Sequence, residues 1–197
     1  MTDKAPEPEP FITLSSRVVW SCPWYSVRQD QIRLPNGQVT EYNVVQHGGA
    51  VWVVPVTTEG KMVLLRHYRY TVHDWCLEVP AGGIGEGERP EDVARRELRE
   101  ETGGRAQAWH YVGQFYTGNG TSDEVGHVFL ATGVMLREPE HEPAEVIEIC
   151  PTHLQEALRM AHANEISDGP SALAIMLSEP FLQELVGKIE VSRAEKL

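Results

Sequence analysis

The residues of this chain with the clearest chemical potential are three glutamates that lie close together in a predicted helix. Glu97 and Glu101 are four residues apart and Glu100 lies between them, so their carboxylates share one region of the helix surface. Like charges at this spacing destabilise a helix by roughly 0.2–0.5 kcal/mol per pair. A divalent cation would reverse that effect, because cations such as Mg²⁺ bind carboxylate oxygens together with substrate phosphates. The alternative is a solvated helix face of mixed charge, which is the usual explanation of such a run.

A glycine-rich loop and a helix are predicted to hold these glutamates. Pro90 suits the first position of a helix, where its missing N–H is not needed. Gly103 is placed to end the helix in a left-handed conformation. Arg96 precedes Glu100 by four residues, so it can pair with that carboxylate and fix its orientation. The loop before the helix contains Gly82, Gly83, Gly85 and Gly87.

Composition limits the classes of function. The 197 residues carry a formal charge of −12, which argues against nonspecific binding to nucleic acid or to an anionic membrane. The three cysteines are an odd number without CxxC spacing, so we expect a reducing cytoplasm rather than a disulfide framework. No apolar run approaches the roughly 20 residues of a membrane span, and the N-terminus has no signal-peptide pattern. We therefore expect a cytoplasmic protein without nucleic-acid or membrane partners.

The order of predicted elements indicates an α+β fold. Strand and helix patterns mix without regular βαβ repeats, which favours layers of helix, sheet and helix. In the N-terminal part, strands are predicted at 17–20, 24–28, 31–34 and 39–45. The predicted organisation is a disordered tail at 1–10, an N-terminal antiparallel β unit at 11–48, a main domain at 49–187 and a C-terminal tail at 188–197.

The spacing of the charged residues resembles the Nudix box, G-x5-E-x7-R-E-U-x-E-E-x-G-U, in which U is a bulky aliphatic residue. The matching residues are Gly82, Glu88, Arg96, Glu97, Leu98, Glu100, Glu101 and Gly103. Gly104 replaces the final aliphatic residue. That position serves packing in the family, so we expect a small local adjustment there rather than lost chemistry.

A wider resemblance, over roughly residues 11 to 185, is to the ADP-ribose pyrophosphatase and nucleoside diphosphate sugar hydrolase branch of that family. Residues 77–82 read LEVPAG, which is similar to the E-x-P-A-G segment of the branch. Residues 117–124 keep the Gly-x-Ser-x-Glu ending of a family loop but lack its two prolines, and His67 stands where glutamine is usual. The resemblance implies a Nudix-type α/β/α sandwich with a mixed sheet, preceded by a β unit that commonly exchanges across a homodimer and helps to build the base pocket.

The activity implied by the resemblance is metal-dependent hydrolysis of a diphosphate bond. The expected substrate is ADP-ribose or a related nucleoside diphosphate sugar, and the products are a nucleoside monophosphate and a sugar phosphate. Mg²⁺ is the expected cofactor, with Mn²⁺ as an alternative. Two other functions are hydrolysis of another nucleoside diphosphate compound, such as a GDP-sugar or a dinucleotide, and ligand binding by a Nudix-like module without catalysis. The presence of all three box glutamates favours an enzyme.

The resemblance also implies residue roles at the metal. Glu97, Glu101 and the backbone carbonyl of Ala81 would be the main metal ligands, and Glu100 would be a further ligand or would bridge through water. Arg96 would orient the glutamates. In this branch the general base often comes from a distant acidic loop, here residues 137–145. The candidates in this loop are Glu140, Glu142 and Glu145, with a solvated turn as the alternative for each of them. We favour Glu145 slightly over Glu142 because it directly precedes a predicted strand.

Four residues are predicted to bind substrate. Arg69 and Arg66 could contact the diphosphate, because guanidinium groups match phosphate oxygens, with surface ion pairs as the alternative. Trp24 could stack on a base, with packing inside the β unit as the alternative. Glu78 is included because it belongs to the segment that resembles E-x-P-A-G.

Overall fold

The computed structural model describes residues 10–140 and 146–194. The described chain forms two compact units. The N-terminal unit contains the residues up to Gly48 together with Tyr116–Glu124, and the main unit contains Gly49–Phe115 and the residues from Val125 onward. Apart from Pro10, the predicted tail at 1–10 lies outside the described residues.

The N-terminal unit is built on a three-stranded antiparallel sheet in the order β1 (Ile12–Ser21), β2 (Ser26–Arg33) and β3 (Val39–Gln46). The prediction of separate strands at 24–28 and 31–34 is wrong, because β2 runs without interruption. Its central polar residues pair with both neighbouring strands. Asp30 is buried there, and hydrogen bonds from Ser16 and Arg28 lower the pKa of its carboxyl group. The Asp30 carboxylate is therefore satisfied inside the sheet.

The main unit contains a mixed sheet of seven strands. β4 pairs in parallel with β9 and antiparallel with β5, so the sheet is neither purely parallel nor purely antiparallel. The order is β10-β5-β4-β9-β8, with β6 paired to β5 and β7 paired to β4. The strands are β4 (Ala50–Thr57), β5 (Lys61–Arg69), β6 (Asp74–Glu78), β7 (Ala81–Gly83), β8 (Ala108–Tyr116), β9 (Val125–Val134) and β10 (Ile147–His153).

Three helices cover the two faces of this sheet, namely α1 (Pro90–Thr102), α2 (Leu154–His162) and α3 (Gly169–Ala194). Alternate residues of the apolar strand β4 point to opposite faces. Val51 and Val53 pack with Leu98 of α1, whereas Val54 packs with Ile175 of α3. A strand buried on both sides thus produces the predicted helix–sheet–helix layers.

Helix α3 continues through Ala194, into the segment 188–197 that the sequence analysis assigned to a tail. Within residues 10–140 and 146–194, no helix is both long enough and apolar enough to cross a membrane.

Candidate active site

Helix α1 begins and ends where the sequence predicts. Pro90 occupies its first turn, and Gly103 ends it with φ 65°, in the left-handed region. A Cβ at Gly103 would lie within 2.7 Å of the carbonyl oxygens of Arg137 and Glu138. Glycine is therefore required there both by conformation and by space. This close approach fixes the end of the helix that carries the three glutamates.

Gly104, the one departure from the box pattern, fits the way in which the helix ends. The Thr102 hydroxyl donates a hydrogen bond to the Leu98 carbonyl and accepts one of 3.0 Å from the Gly104 N–H. A Cβ at Gly104 would lie 2.6 Å from Thr102 Oγ1 and 3.0 Å from Leu98 Cδ1. Because Thr102 and Leu98 are both fully buried, they occupy the space that an aliphatic side chain would need.

Two of the box glutamates converge on the short strand β7. The Ala81 N–H donates a 2.9 Å hydrogen bond to Glu101 Oε2, and the Glu101 side chain is buried. The Glu97 carboxylate lies against Gly82, where an added Cβ would be within 2.6 Å of its Cδ and both oxygens. The missing side chain at Gly82 therefore lets a carboxylate approach the backbone of the loop.

Arg96 connects three of the acidic residues of the box. Its guanidinium is 2.6 Å from Glu88, 2.9 Å from Glu97 and 3.7 Å from Glu100. It also donates a 3.3 Å hydrogen bond to the carbonyl of Gly83. Burial alone would lower the pKa of Arg96, but the hydrogen bond to Glu97 and the surrounding carboxylates raise it. Arg96 therefore stays charged and sets the relative positions of these carboxylates.

Glu88 organises the loop that precedes α1. Its Oε2 accepts a 2.8 Å hydrogen bond from the Gly85 N–H, while its Oε1 pairs with Arg96. A carboxylate with both oxygens engaged in this way ties the glycine-rich loop to the helix. These contacts support a structural role for Glu88.

Glu100 faces a different set of partners from Glu97 and Glu101. Its Oε1 lies 2.7 Å from Arg99, and its backbone carbonyl accepts a 2.8 Å hydrogen bond from the N–H of Glu140. Glu140 also places its carboxylate 3.6 Å from Arg99. The acidic loop is thus attached to α1 at Glu140. The two general-base candidates farther along this loop, Glu142 and Glu145, lie outside the described residues.

Arg69 and Glu78, both predicted to bind substrate, pair with each other. The guanidinium donates to both carboxylate oxygens of Glu78, with Nε 2.8 Å from Oε1. The hydrogen bonds that Arg69 donates to Glu78 raise the pKa of Arg69, and the nearby charges of Asp168 and Glu101 add to this effect. Glu78 is buried, whereas 43% of the Arg69 side chain is exposed. The pair therefore presents an oriented, charged guanidinium at the surface of the main unit.

Arg66 makes surface contacts of its own. It lies 2.9 Å from Glu148 and its guanidinium carbon is 4.1 Å from the centroid of the Trp75 ring. The ion pair is exposed and therefore weak, and the cation–π contact places the guanidinium against the indole. Arg66 therefore forms the surface ion pair that the sequence analysis gave as the alternative to binding the diphosphate.

Sequence reasoning missed one residue that positions this site. The Ser171 hydroxyl, fully buried at the start of α3, accepts a 3.1 Å hydrogen bond from the N–H of Val79. Its own N–H donates a 2.9 Å hydrogen bond to Asp168. Ser171 therefore fixes the chain two residues before Ala81. Its role depends on a contact between residues 92 positions apart, and no local pattern signals such a contact.

The 117–124 segment forms an internally bonded loop within the N-terminal unit. Thr117 donates a 2.7 Å hydrogen bond to Glu124, and Glu124 lies 3.5 Å from the His47 ring. His47 in turn stacks on Tyr25 at a centroid distance of 5.4 Å. Trp24, next to Tyr25, is 79% exposed. The packing alternative for Trp24 is thus disfavoured, and its indole is available for stacking.

The donor set of the box fits a hard divalent cation. Glu97 and Glu101 bring carboxylate oxygens to the backbone at residues 81 and 82, and Glu100 is on the same helix. Oxygen-only donors of this kind suit Mg²⁺ or Mn²⁺ rather than softer metals. Among the described residues, no three acidic, histidine or cysteine side chains already form a closed ligand set. Ligation by all three carboxylates would therefore require local adjustment.

Comparison with known proteins shows the family to which the chain belongs. The NUDIX domain model matches residues 46–171, and the model of the nucleoside diphosphate sugar hydrolase N-terminal domain matches residues 11–45. The chain is 35% identical over 165 residues to the ADP-ribose pyrophosphatase of Bacillus subtilis (strain 168), which covers 83% of this chain and 89% of that protein. It is 38% identical over 140 residues to the ADP-ribose pyrophosphatase of Mycobacterium tuberculosis (strain ATCC 25618 / H37Rv), covering 69% and 68% of the two chains. The methanol dehydrogenase activator of Bacillus methanolicus is 33% identical, with coverage of 83% and 89%.

These matches show that the chain belongs to the Nudix family and is a Nudix pyrophosphohydrolase. A solved structure described as an ADP compounds hydrolase has a TM-score of 0.78 at 18% identity, and covers 92% of this chain and 98% of that one. The predicted fold class, a Nudix-type sandwich after an N-terminal antiparallel β unit, is thereby confirmed. Nudix hydrolases in general use divalent metal ions.

The close approach of Glu97 to Gly82 predicts the effect of a small substitution. In Gly82→Ala the new methyl group would displace the Glu97 carboxylate, and a misplacement of about 1 Å can cost roughly 100-fold in rate. We therefore expect kcat to fall by about that factor. The measurement is steady-state hydrolysis at saturating metal, with circular dichroism to check folding.

Gly83→Ala is the matched control, because a Cβ at Gly83 would meet no atom within 4 Å. We expect its kcat to remain close to that of the wild type. Equal losses in the two variants would show that the loop backbone, rather than the position of Glu97, limits catalysis.

Proposed function

We propose that this chain hydrolyses the diphosphate bond of ADP-ribose or a related nucleoside diphosphate sugar in a metal-dependent reaction. The observation that carries the proposal is the convergence of Glu97 and Glu101 on residues 81 and 82, with Arg96 orienting Glu97 and Glu100. The names of the relatives from Bacillus subtilis and Mycobacterium tuberculosis support ADP-ribose as the substrate. An ADP-sugar pyrophosphatase of Mus musculus, 27% identical over 136 residues, supports the wider substrate class.

The reaction adds water across one P–O–P linkage and yields a nucleoside monophosphate and a sugar phosphate. When bound, Mg²⁺ supplies charge neutralisation of the diphosphate and a lower pKa for water. Glu97, Glu101, Glu100 and the Ala81 carbonyl would hold the cation, with Mn²⁺ as the alternative metal. Arg96 keeps the carboxylates in place. Positioning and electrostatic complementarity then account for most of the rate, as in other phosphoryl transfers.

The proton released by the attacking water needs an acceptor. We propose a glutamate of the acidic loop, Glu145 in preference to Glu142. The hydrogen bond from Glu140 to the Glu100 carbonyl supports this assignment, because it attaches the beginning of the loop to the helix of the box. A base in such a place requires only modest tuning of its pKa when the cation activates the water.

Substrate contacts are proposed for two arginines and one aromatic residue. Arg69, oriented by Glu78, can donate to the oxygens of the diphosphate. Arg66 can also donate to these oxygens if it releases Glu148, because exposed ion pairs of this kind are weak. The exposed indole of Trp24 can stack on the base.

The substrate proposal predicts the outcome of a panel of nucleoside diphosphate compounds. With Mg²⁺, ADP-ribose should be hydrolysed faster than GDP-sugars and dinucleotides, and Glu101→Gln should lower kcat by at least about 100-fold because it removes a buried ligand charge. Release of phosphomonoesters, followed by chromatography, identifies the products. Removing the metal with a chelator should abolish turnover and adding Mg²⁺ or Mn²⁺ should restore it.

Glu86→Gln is the matched control for Glu101→Gln, because Glu86 is an exposed glutamate of the glycine-rich loop before α1 and does not occupy a fixed position of the box. It should retain activity close to that of the wild type. If another nucleoside diphosphate sugar is preferred, the 117–124 loop without its prolines is the place to seek the cause. If no compound is hydrolysed with several metals, the chain is a ligand-binding module and the catalytic assignment is wrong.

We also propose that the protein is a cytoplasmic homodimer. Strand β1 is an edge strand with all ten of its residues exposed, including Val18 and Trp20. Exposed apolar edge strands are usually covered by a partner. Cys22, Cys76 and Cys150 are free thiols, which suits a reducing compartment.

The dimer proposal predicts a mass twice the 22.1 kDa of one chain in sedimentation equilibrium at micromolar concentration. Val18→Lys should weaken self-association, because it would bury a charge in the interface. Val72→Lys is the matched control, since the two valines are 60% and 61% exposed in the single chain. A mass of one chain at all concentrations would contradict the proposal.

A further inference from the structure

A cavity of about 290 Å³ lies beside α1 and the residues that follow it, and the active-site account does not use it. Its charged lining consists of arginines alone, in a chain whose formal charge is −12. The overall field of an acidic protein repels anions. The arginines of this cavity therefore create a local region that attracts them. The lining residues are Arg95, Arg99, Gly104, Arg105, Ala106 and Trp109.

Two of these arginines are held in place by neighbours. The Arg95 guanidinium lies 4.8 Å from the centroid of the Trp109 ring and 2.6 Å from Glu91. Arg99 is held by Glu100 and Glu140. The Arg95–Glu91 pair is an exposed i,i+4 pair, which contributes little to stability and can be exchanged for a better anion.

Arg105 differs from the other two because none of the described residues pairs with its guanidinium. Its backbone is fixed, since its N–H and carbonyl both form 3.0 Å hydrogen bonds with Met135. Its side chain is exposed at the cavity. Residues 10–140 and 146–194 thus leave one guanidinium without an ion-pair partner, next to two that are already oriented.

We propose that this cavity binds a phosphomonoester, whose dianion is held by Arg95, Arg99 and Arg105. Guanidinium groups bind phosphate oxygens through paired hydrogen bonds, and several of them match a dianion better than a single carboxylate. The cavity is near the lower limit of about 300 Å³ for small-molecule sites, which suits a sugar phosphate or a nucleoside monophosphate. The choice between these ligands rests on the proposed function, because both are its products.

Occupancy of this cavity is coupled to the box through Arg99. The same guanidinium that lines the cavity lies 2.7 Å from Oε1 of Glu100. A dianion that draws Arg99 toward the cavity weakens its hold on Glu100 and on Glu140. Product bound in the cavity would therefore alter the arrangement of the active-site carboxylates. The cavity and the box would then be two distinct sites coupled through Arg99.

The test is calorimetric titration of the full-length protein with AMP and with ribose 5-phosphate, in a chelator and at low salt. We expect saturable binding that is weakened about tenfold by Arg105→Gln, a factor typical of one lost charge-assisted contact. Arg89→Gln is the matched control, because Arg89 is an exposed arginine at the start of α1 that does not line the cavity, and it should bind like the wild type. The tighter of the two ligands identifies the source of the phosphomonoester.

Two results would overturn the proposal. One is that both ligands bind Arg105→Gln and Arg95→Gln as tightly as they bind the wild type, which would assign the binding to another site, such as the active-site arginines Arg69 and Arg66. The other is equal affinity for AMP and for adenosine, which would show that the phosphate is not recognised. Because no substrate is turned over in this titration, failure of the proposed hydrolysis would not imply failure of this site.

Discussion

The site depends on holding like-charged carboxylates close together. Arg96 contacts Glu88, Glu97 and Glu100, and so offsets repulsion that would otherwise spread these side chains apart. Backbone groups do the same for Glu101 through the N–H of Ala81. These contacts limit how far the carboxylates can spread, so a cation that gathers them would need only local adjustment of the side chains.

The fold supplies rigid supports for this arrangement on both sides of the glutamates. Strand β7 pairs with the buried strand β4, which also packs against α1 through Val51 and Val53. Ser171 fixes the approach to β7 from α3. Packing against the sheet thus fixes the positions of the few atoms that would contact the metal and the substrate. Closely packed interiors allow little displacement of such atoms.

Much of this could be predicted from sequence because it depends on local spacing. The box, the proline at the start of α1 and the left-handed Gly103 follow from residue types a few positions apart. The prediction of two strands in place of β2 was wrong, because pairing with both β1 and β3 continues through Asp30, whose carboxyl group is satisfied by tertiary partners. The role of Ser171 and the cavity beside Arg105 were not predicted for a related reason. Both depend on tertiary contacts, which local sequence patterns do not show.

The central claim is that Arg96 holds the carboxylates by geometry as well as by charge. The most direct test is Mn²⁺ affinity, measured by electron paramagnetic resonance, of the wild type and of Arg96→Lys. Lysine keeps the positive charge but cannot form the forked contacts of a guanidinium. The account predicts that Mn²⁺ binds the variant at least about tenfold more weakly, because the carboxylates are no longer held together. Equal affinity in the two proteins would contradict it and would leave Arg96 with a purely electrostatic role.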